Sequence, residues 1–260
     1  MKSILNTARQ RLEKGELAIG VGIRHSRSVA IAKIMKTAGY DFLFIDLEHS
    51  TMPADTATQI SLAALDAGIA PLVRVPEKED GLAVQVLNGG AMGVIMPHID
   101  TAEEAKAVVS SQKFPPVGNR SVGGALAQFD YGHVNMKEAT RQLNEQSLVI
   151  VQLETELAIA NADSIAAVDG VDVLMIGVGD LTAEMGIQGQ SGHARVVAAF
   201  ETVVTACKKH GKWVGMGGVE AEDLVAKYIA LGVRFHLFGN DISLMLIAGR
   251  QKTDFMRSCK

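Results

Sequence analysis

Cysteine is scarce in this chain of 260 residues: Cys207 and Cys259 are the only two, too few for a thiolate metal cluster or a disulfide framework. No apolar run is long enough to cross a bilayer. The opening stretch MKSILNTARQRLEKGEL is amphipathic and charged rather than a basic head followed by an apolar core, so it does not read as a signal peptide. Charge of one sign is not in large excess, with 25 basic against 29 acidic residues. No basic run interleaved with aromatics marks a nucleic-acid or membrane surface. No linker rich in Pro, Gly or Ser divides the chain. These absences predict a cytoplasmic protein of one domain, 1–260, whose partner is a small soluble molecule.

What is present is apolar material in a regular rhythm. The composition is 48% hydrophobic, enough for a large core and against disorder. Eight short β-branched or apolar runs recur: LAIGVGI (17–23), DFLFIDLE (41–48), APLVRV (70–75), GVIMPHI (93–99), SLVIVQLE (147–154), VDVLMIG (171–177), KWVGMGG (212–218) and RFHLFG (234–239). Segments of helical periodicity fill the gaps. Ala54 to Ala67 stops at Gly68, and Thr101 to Ser110 opens on a Thr cap followed by Glu103 and Glu104. Arg195 to His210 and Glu220 to Leu231 end at Gly211 and Gly232. Eight βα units in this length predict an α/β chain closed into a (β/α)8 TIM barrel rather than an open doubly wound sheet. Phe114 to Met136, containing FPPVGNRSVGGA, breaks the rhythm and is expected to form a loop and short helix over the barrel mouth or at a subunit contact.

In such a barrel, polar residues at the C-terminal ends of strands carry the chemistry. The second run finishes in Asp46-Leu47-Glu48-His49, the third carries Arg74, the fifth carries Gln152 and Glu154, and the sixth leads through Gly177-Val178-Gly179 into Asp180. The period of two puts Ile150, Gln152 and Glu154 on one face, toward the barrel interior. A carboxylate there must be paired, metal-bound or neutralised. Glu154 and Asp180 on adjacent strands could clasp one divalent ion, with Mg2+ or Mn2+ the best match to two carboxylates and open positions, and Co2+ or Zn2+ as further options. Alternatively Glu154 pairs with Arg74 as a structural ion pair.

His49, after Asp and Glu at the site end of a strand, is placed for proton transfer or is a packing residue. His98 could line the site and His236 reads as core. His25, His133, His193 and His210 fall in loops or on helices. Schiff-base chemistry needs a desolvated lysine inside the barrel. No predicted strand supplies one, since Lys212 lies at the wrong end of its strand and Lys78 in a loop. Metal stabilisation of an enolate is therefore the expected mechanism. The glycines at 215, 217, 218 and 239 suit either phosphate binding or tight turns.

Across nearly the whole chain these motifs resemble the HpcH/HpaI family of class II pyruvate aldolases. The resemblance is carried in order by DFLFIDLEH (41–49), LVRVP (72–76), MPHIDTAEEA (96–105), FPPVGNRSVGGA (114–125), QLET (152–155) and IGVGDLTAEMG (176–186). It implies a lyase of aromatic or sugar acid catabolism that cleaves 4-hydroxy-2-oxo acids into pyruvate and an aldehyde. It implies Glu154 and Asp180 as metal ligands, and the amides of Gly179 and Asp180 near the pyruvate carboxylate. Arg74 would hold the keto oxygen and enolate, His49 oriented by Asp46 would handle the 4-hydroxyl proton, and Gln152 would line the pocket. It also implies a homo-hexamer with exchanged C-terminal helices, for which Ile242 to Phe255 is available. Two positions depart from the family pattern: Gly177-Val178-Gly179-Asp180 replaces Gly-Pro-Ala-Asp, and Asn88 replaces an acidic residue. Competing expectations are a lyase acting on acyl-CoA esters, which would need a basic nucleotide surface, and an inactive barrel that only binds a keto acid.

Overall fold

A computed structural model describes residues 4–259. Strands β1 (Ala18–Ile23), β2 (Phe42–Asp46), β3 (Ala70–Arg74), β4 (Gly93–Met96), β5 (Leu148–Leu153), β6 (Val173–Gly177), β7 (Trp213–Gly217) and β8 (Val233–Asn240) pair in parallel in chain order. β8 returns to β1 and closes the barrel. The TIM-barrel expectation holds, and each predicted run contains or overlaps its strand. The fourth run overshoots, because after Met96 the chain leaves the ladder, passing through His98 at φ +53°.

Both faces of these strands are buried, as a sheet wrapped by helices requires. Alternate positions point inward. Ala18, Phe42, Phe44, Leu72, Ile150, Val173, Met175 and Phe235 fill the barrel. Val21, Leu43, Ile45, Val73, Val151, Leu174 and Ile176 pack against the helices. Inside, the rings of Phe42 and Phe235 stack with centroids 4.3 Å apart. They fit because β1 has no side chain at Gly20, where a Cβ would lie 1.9 Å from the Phe42 ring.

The lower end of the barrel is sealed. Asn6 caps the helix Thr7–Glu13 and donates to the carbonyls of Met92 and Gln146, each at 2.9 Å. From that segment Ile4, Ala8 and Leu12 join the interior cluster. Phe114 to Met136 contributes to the same floor and does not cover the mouth. Its short helix Ala127–Phe129 is anchored by Gln128, which donates to the carbonyls of Leu87 and Ala91 just before β4. Phe114, Leu126 and Phe129 plug the base. These apolar side chains decide the location, since the lower barrel is where they find cover. At the other end of the chain the helix Asp241–Ser258 buries only Asp241. It exposes Met245, Leu246, Ile247, Phe255 and Met256.

The Gly20–Phe42 contact gives a stability test. Gly20→Ala should cost about 1–3 kcal/mol by overpacking, lowering the urea midpoint. Adding Phe42→Leu should restore part of that loss, so two strictly additive destabilisations would contradict the packing described.

Candidate active site

The upper layer of the interior turns from apolar to charged along the same inward stripes. Above Phe42 and Phe44 comes Asp46, and above Leu72 comes Arg74. The two are register partners across β2 and β3. Both are buried, and Arg74 grips Asp46 with two hydrogen bonds, Nε to Oδ1 at 3.0 Å and Nη2 to Oδ2 at 2.6 Å. Arg24, the next inward position after Gly20 and Gly22, donates its Nε to Asp46 Oδ2 at 2.9 Å. The backbone amides of Glu48 and His49 donate to Asp46 Oδ1 at 3.1 Å each. Burial pushes the Asp46 carboxyl up, but the hydrogen bond and charge of Arg74, the His49 amide and the charge of Arg24 hold it below its ordinary value.

The charges continue around the mouth. Arg74 Nη1 lies 2.9 Å from Glu48 Oε2, and Glu48 lies 3.7 Å from the Nε2 atoms of both His49 and His98. His98 in turn approaches Glu154 twice: its amide donates to Oε2 at 3.0 Å, and its Nδ1 lies 3.3 Å from that oxygen. The left-handed backbone at His98, costly for a residue with a Cβ, accompanies this double contact.

Glu154 is buried, and Gln152 Nε2 donates to its Oε1 at 2.6 Å. Burial, opposed by His98 and reinforced by the facing carboxylate of Asp180, raises the Glu154 pKa. Asp180 is exposed, in the first turn of the helix Val178–Glu184 that begins directly after β6. The turn can pass close to β5 because of Gly177, where a Cβ would sit 2.7 Å from Glu154 Oε1.

The residues named from the sequence surround one cavity of about 150 Å³, lined by Arg24, His49, Arg74, Gln152, Gly179 and Asp180 and closed below by Phe44 and Met175. Glu154 stands behind Gln152 and faces Asp180. Several pairings differ from expectation. Arg74 pairs with Asp46 and Glu48, and no Glu154–Arg74 ion pair occurs among the described residues. Asp46 supports His49 through the backbone amide, while the His49 ring leans toward Glu48. Asn88 accepts from Arg120 at 2.7 Å and does not line the cavity. Gly215 and Gly217 pack against Met175, so close packing accounts for them without a phosphate. His236 is core, as expected, its pKa pushed down to about 4 by burial.

Arg24 and Glu48 were not singled out as site residues. The inward period was the signal that could have found them, since Arg24 continues the stripe of Gly20 and Gly22, and Glu48 that of Asp46. Among the described residues no group of three or more His, Cys, Asp or Glu suits a metal. The groups that converge are two carboxylates and Gln152 Oε1, a buried acceptor without a hydrogen-bond partner. That donor set is all oxygen, which fits a hard divalent cation completed by water or substrate oxygens.

Residues 24–248 match the sequence profile described as HpcH/HpaI aldolase/citrate lyase. The chain is 38% identical over 250 residues to a 4-hydroxy-4-methyl-2-oxoglutarate aldolase of Hapsidospora irregularis, covering 95% of this chain and 93% of that one. It is 34% identical over 256 residues to the 2-keto-3-deoxy-L-rhamnonate aldolase of Escherichia coli K12, covering 98% and 94%. Among solved structures, an HpcH/HpaI aldolase from Desulfitobacterium hafniense DCB-2 superposes with a TM-score of 0.92 at 26% identity, over 99% of this chain and 98% of that one. A barrel closed in chain order, a charged ring at its mouth and these similarities agree: this chain belongs to the HpcH/HpaI aldolase/citrate lyase family.

Proposed function

We propose that this chain is a carbon–carbon lyase, a class II pyruvate aldolase that cleaves 4-hydroxy-2-oxo acids into pyruvate and an aldehyde, or joins them in reverse. The observation that carries this reading is a cavity large enough for a small keto acid, lined by Asp180 and the immobilised Arg74, with Glu154 behind Gln152 facing Asp180. The relatives named above are aldolases of 2-oxo acids, which supports the same chemistry.

Glu154 and Asp180 would hold a divalent cation, Mg2+ or Mn2+ by the hardness of the donors, which when bound supplies positive charge toward an enolate. Arg74 adds a second positive charge at the keto oxygen. Because Asp46 hydrogen-bonds two of its nitrogens and the Glu48 carboxylate lies against the third, little reorganisation is needed as charge develops. The Gly179 and Asp180 amides lie in the first helical turn, where N–H groups have no intrahelical acceptor. In this reading they meet the substrate carboxylate. Gln152 walls the pyruvate pocket.

In the cleavage direction His49 takes the proton of the 4-hydroxyl. That oxygen becomes the aldehyde carbonyl as the electrons of the C3–C4 bond pass to C3 and the keto group. Protonation at C3 then completes pyruvate. The half-exposed His49 ring, beside Glu48, can exchange its proton with solvent. The apolar face exposed on the helix Asp241–Ser258 suits exchange between subunits of a homo-oligomer, a hexamer by family resemblance.

Chelation should abolish turnover of pyruvate with a short hydroxyaldehyde, and added Mn2+ should restore it. Activity that survives chelation and is trapped by borohydride would rule the mechanism out. Glu154→Gln should weaken Mn2+ binding in calorimetry and lower kcat/KM by at least about 100-fold, since even outer partners of a metal site are worth about 10- to 100-fold. Arg74→Ala should fail on two counts, losing enolate stabilisation and also stability, though by less than the about 3–5 kcal/mol of a fully unpaired buried charge, because Arg24 and two backbone amides stay on Asp46. Arg74→Lys separates these effects: it keeps a charge for Asp46 but not the two-pronged grip, so melting should change less than kcat/KM.

A further inference from the structure

If pyruvate is held as proposed above, its groups lie against β3, β5 and the turn after β6, where Arg74, Gln152, Gly179 and Asp180 stand. Of the two walls left for the other half of the substrate, that of β7 and β8 presents Gly217, Gly218 and Leu237, without a polar side chain, whereas that of β1 and β2 presents Arg24 and His49. His49 has a role at the 4-hydroxyl. Arg24 has none in that chemistry.

Its geometry leaves it available. Arg24 is 36% exposed, spends its Nε on Asp46, and has terminal Nη groups with no hydrogen-bond partner among the described residues. Asp46 already has two hydrogen bonds from Arg74 and two backbone amides. Anchored through Nε, the guanidinium is fixed in orientation and keeps the outer end of its fork open. That end matches a carboxylate in two-pronged fashion. A neutral hydroxyalkyl group at the same place could satisfy fewer of those charged donors and would leave a partly desolvated cation less well paired.

We propose that Arg24 is a specificity-determining residue that receives a carboxylate on the aldehyde half of the substrate. The preferred substrates are then dicarboxylic 4-hydroxy-2-oxo acids, and the preferred acceptors in the reverse direction are short carbonyl compounds bearing an acid group. This rests on the pyruvate-aldolase reading.

The test compares two acceptors of the same carbon length in the metal-loaded protein, glyoxylate with a carboxylate and glycolaldehyde with a hydroxymethyl group, each added to pyruvate. The wild-type chain should favour glyoxylate in kcat/KM. Arg24→Met should lower the glyoxylate-to-glycolaldehyde ratio by about tenfold or more, the scale of one charged hydrogen bond. Arg24→Lys, which keeps the charge without the fork, should fall between. A ratio unchanged in Arg24→Met, whether both reactions fall in parallel or neither falls, overturns the proposal and reduces Arg24 to a support for Asp46. Exchange of the pyruvate methyl protons in D2O by the wild-type protein needs no acceptor. Its absence would sink the aldolase reading itself, whereas exchange with an unchanged ratio sinks only the role of Arg24.

Discussion

A carboxylate buried between two arginines and two backbone amides organises the top of this barrel. Asp46 has no solvent to stabilise its charge, so its partners must supply what water would. Arg74 does so in register from the next strand, which removes two rotatable side chains from the uncertainty of the site. With Asp46 holding one edge of the guanidinium, the remaining nitrogen reaches Glu48, and through Glu48 the chain of charge passes by His98 to Glu154. Without Arg74, Asp46 would keep only Arg24 as a charged partner, and Glu48 would face the two histidines alone.

The barrel interior explains why this ring sits where it does. Its lower layers are crowded with Phe42, Phe44 and Phe235, and they close only because β1 contributes glycine at the tightest point. Toward the C-terminal ends the same inward positions carry ionisable groups instead. There the loops leave the ladder and a cavity opens. Gly177 does at the mouth what Gly20 does below, allowing one strand end to lie against another's side chain. Close packing and an open polar site are thus successive layers of one alternating pattern.

That pattern is why much of the fold was legible in the sequence. Strands buried on both faces read as continuous apolar runs, and glycine stops marked helix ends such as Ala67 and His210 within a residue. Position around the barrel was harder. Phe114 to Met136 reads as a loop over the mouth or at a subunit contact because its glycines and prolines are conspicuous, while the three apolar residues that bind it to the floor are spread over sixteen positions, from Phe114 to Phe129. Within the site, residue type and strand end identified the carboxylates, but pairing depends on register between strands, which one chain read alone does not contain. The sequence offered Glu154 as the partner of Arg74, whereas the register of β2 and β3 sets Arg74 against Asp46. The unusual backbone of His98 has no signature at all in a histidine between proline and isoleucine.

The sealed floor carries one more implication. With Ile4, Leu12, Phe114 and Phe129 closing the lower end, the described residues leave the cavity a single doorway, at the mouth. Under the proposed reading the pyruvate half lies inward, among the buried Arg74 and Gln152, and the other half lies outward beside the more exposed His49 and Arg24. A cul-de-sac of this kind imposes a queue: in cleavage the aldehyde departs first and pyruvate last, and in synthesis pyruvate must already be seated before its partner can enter.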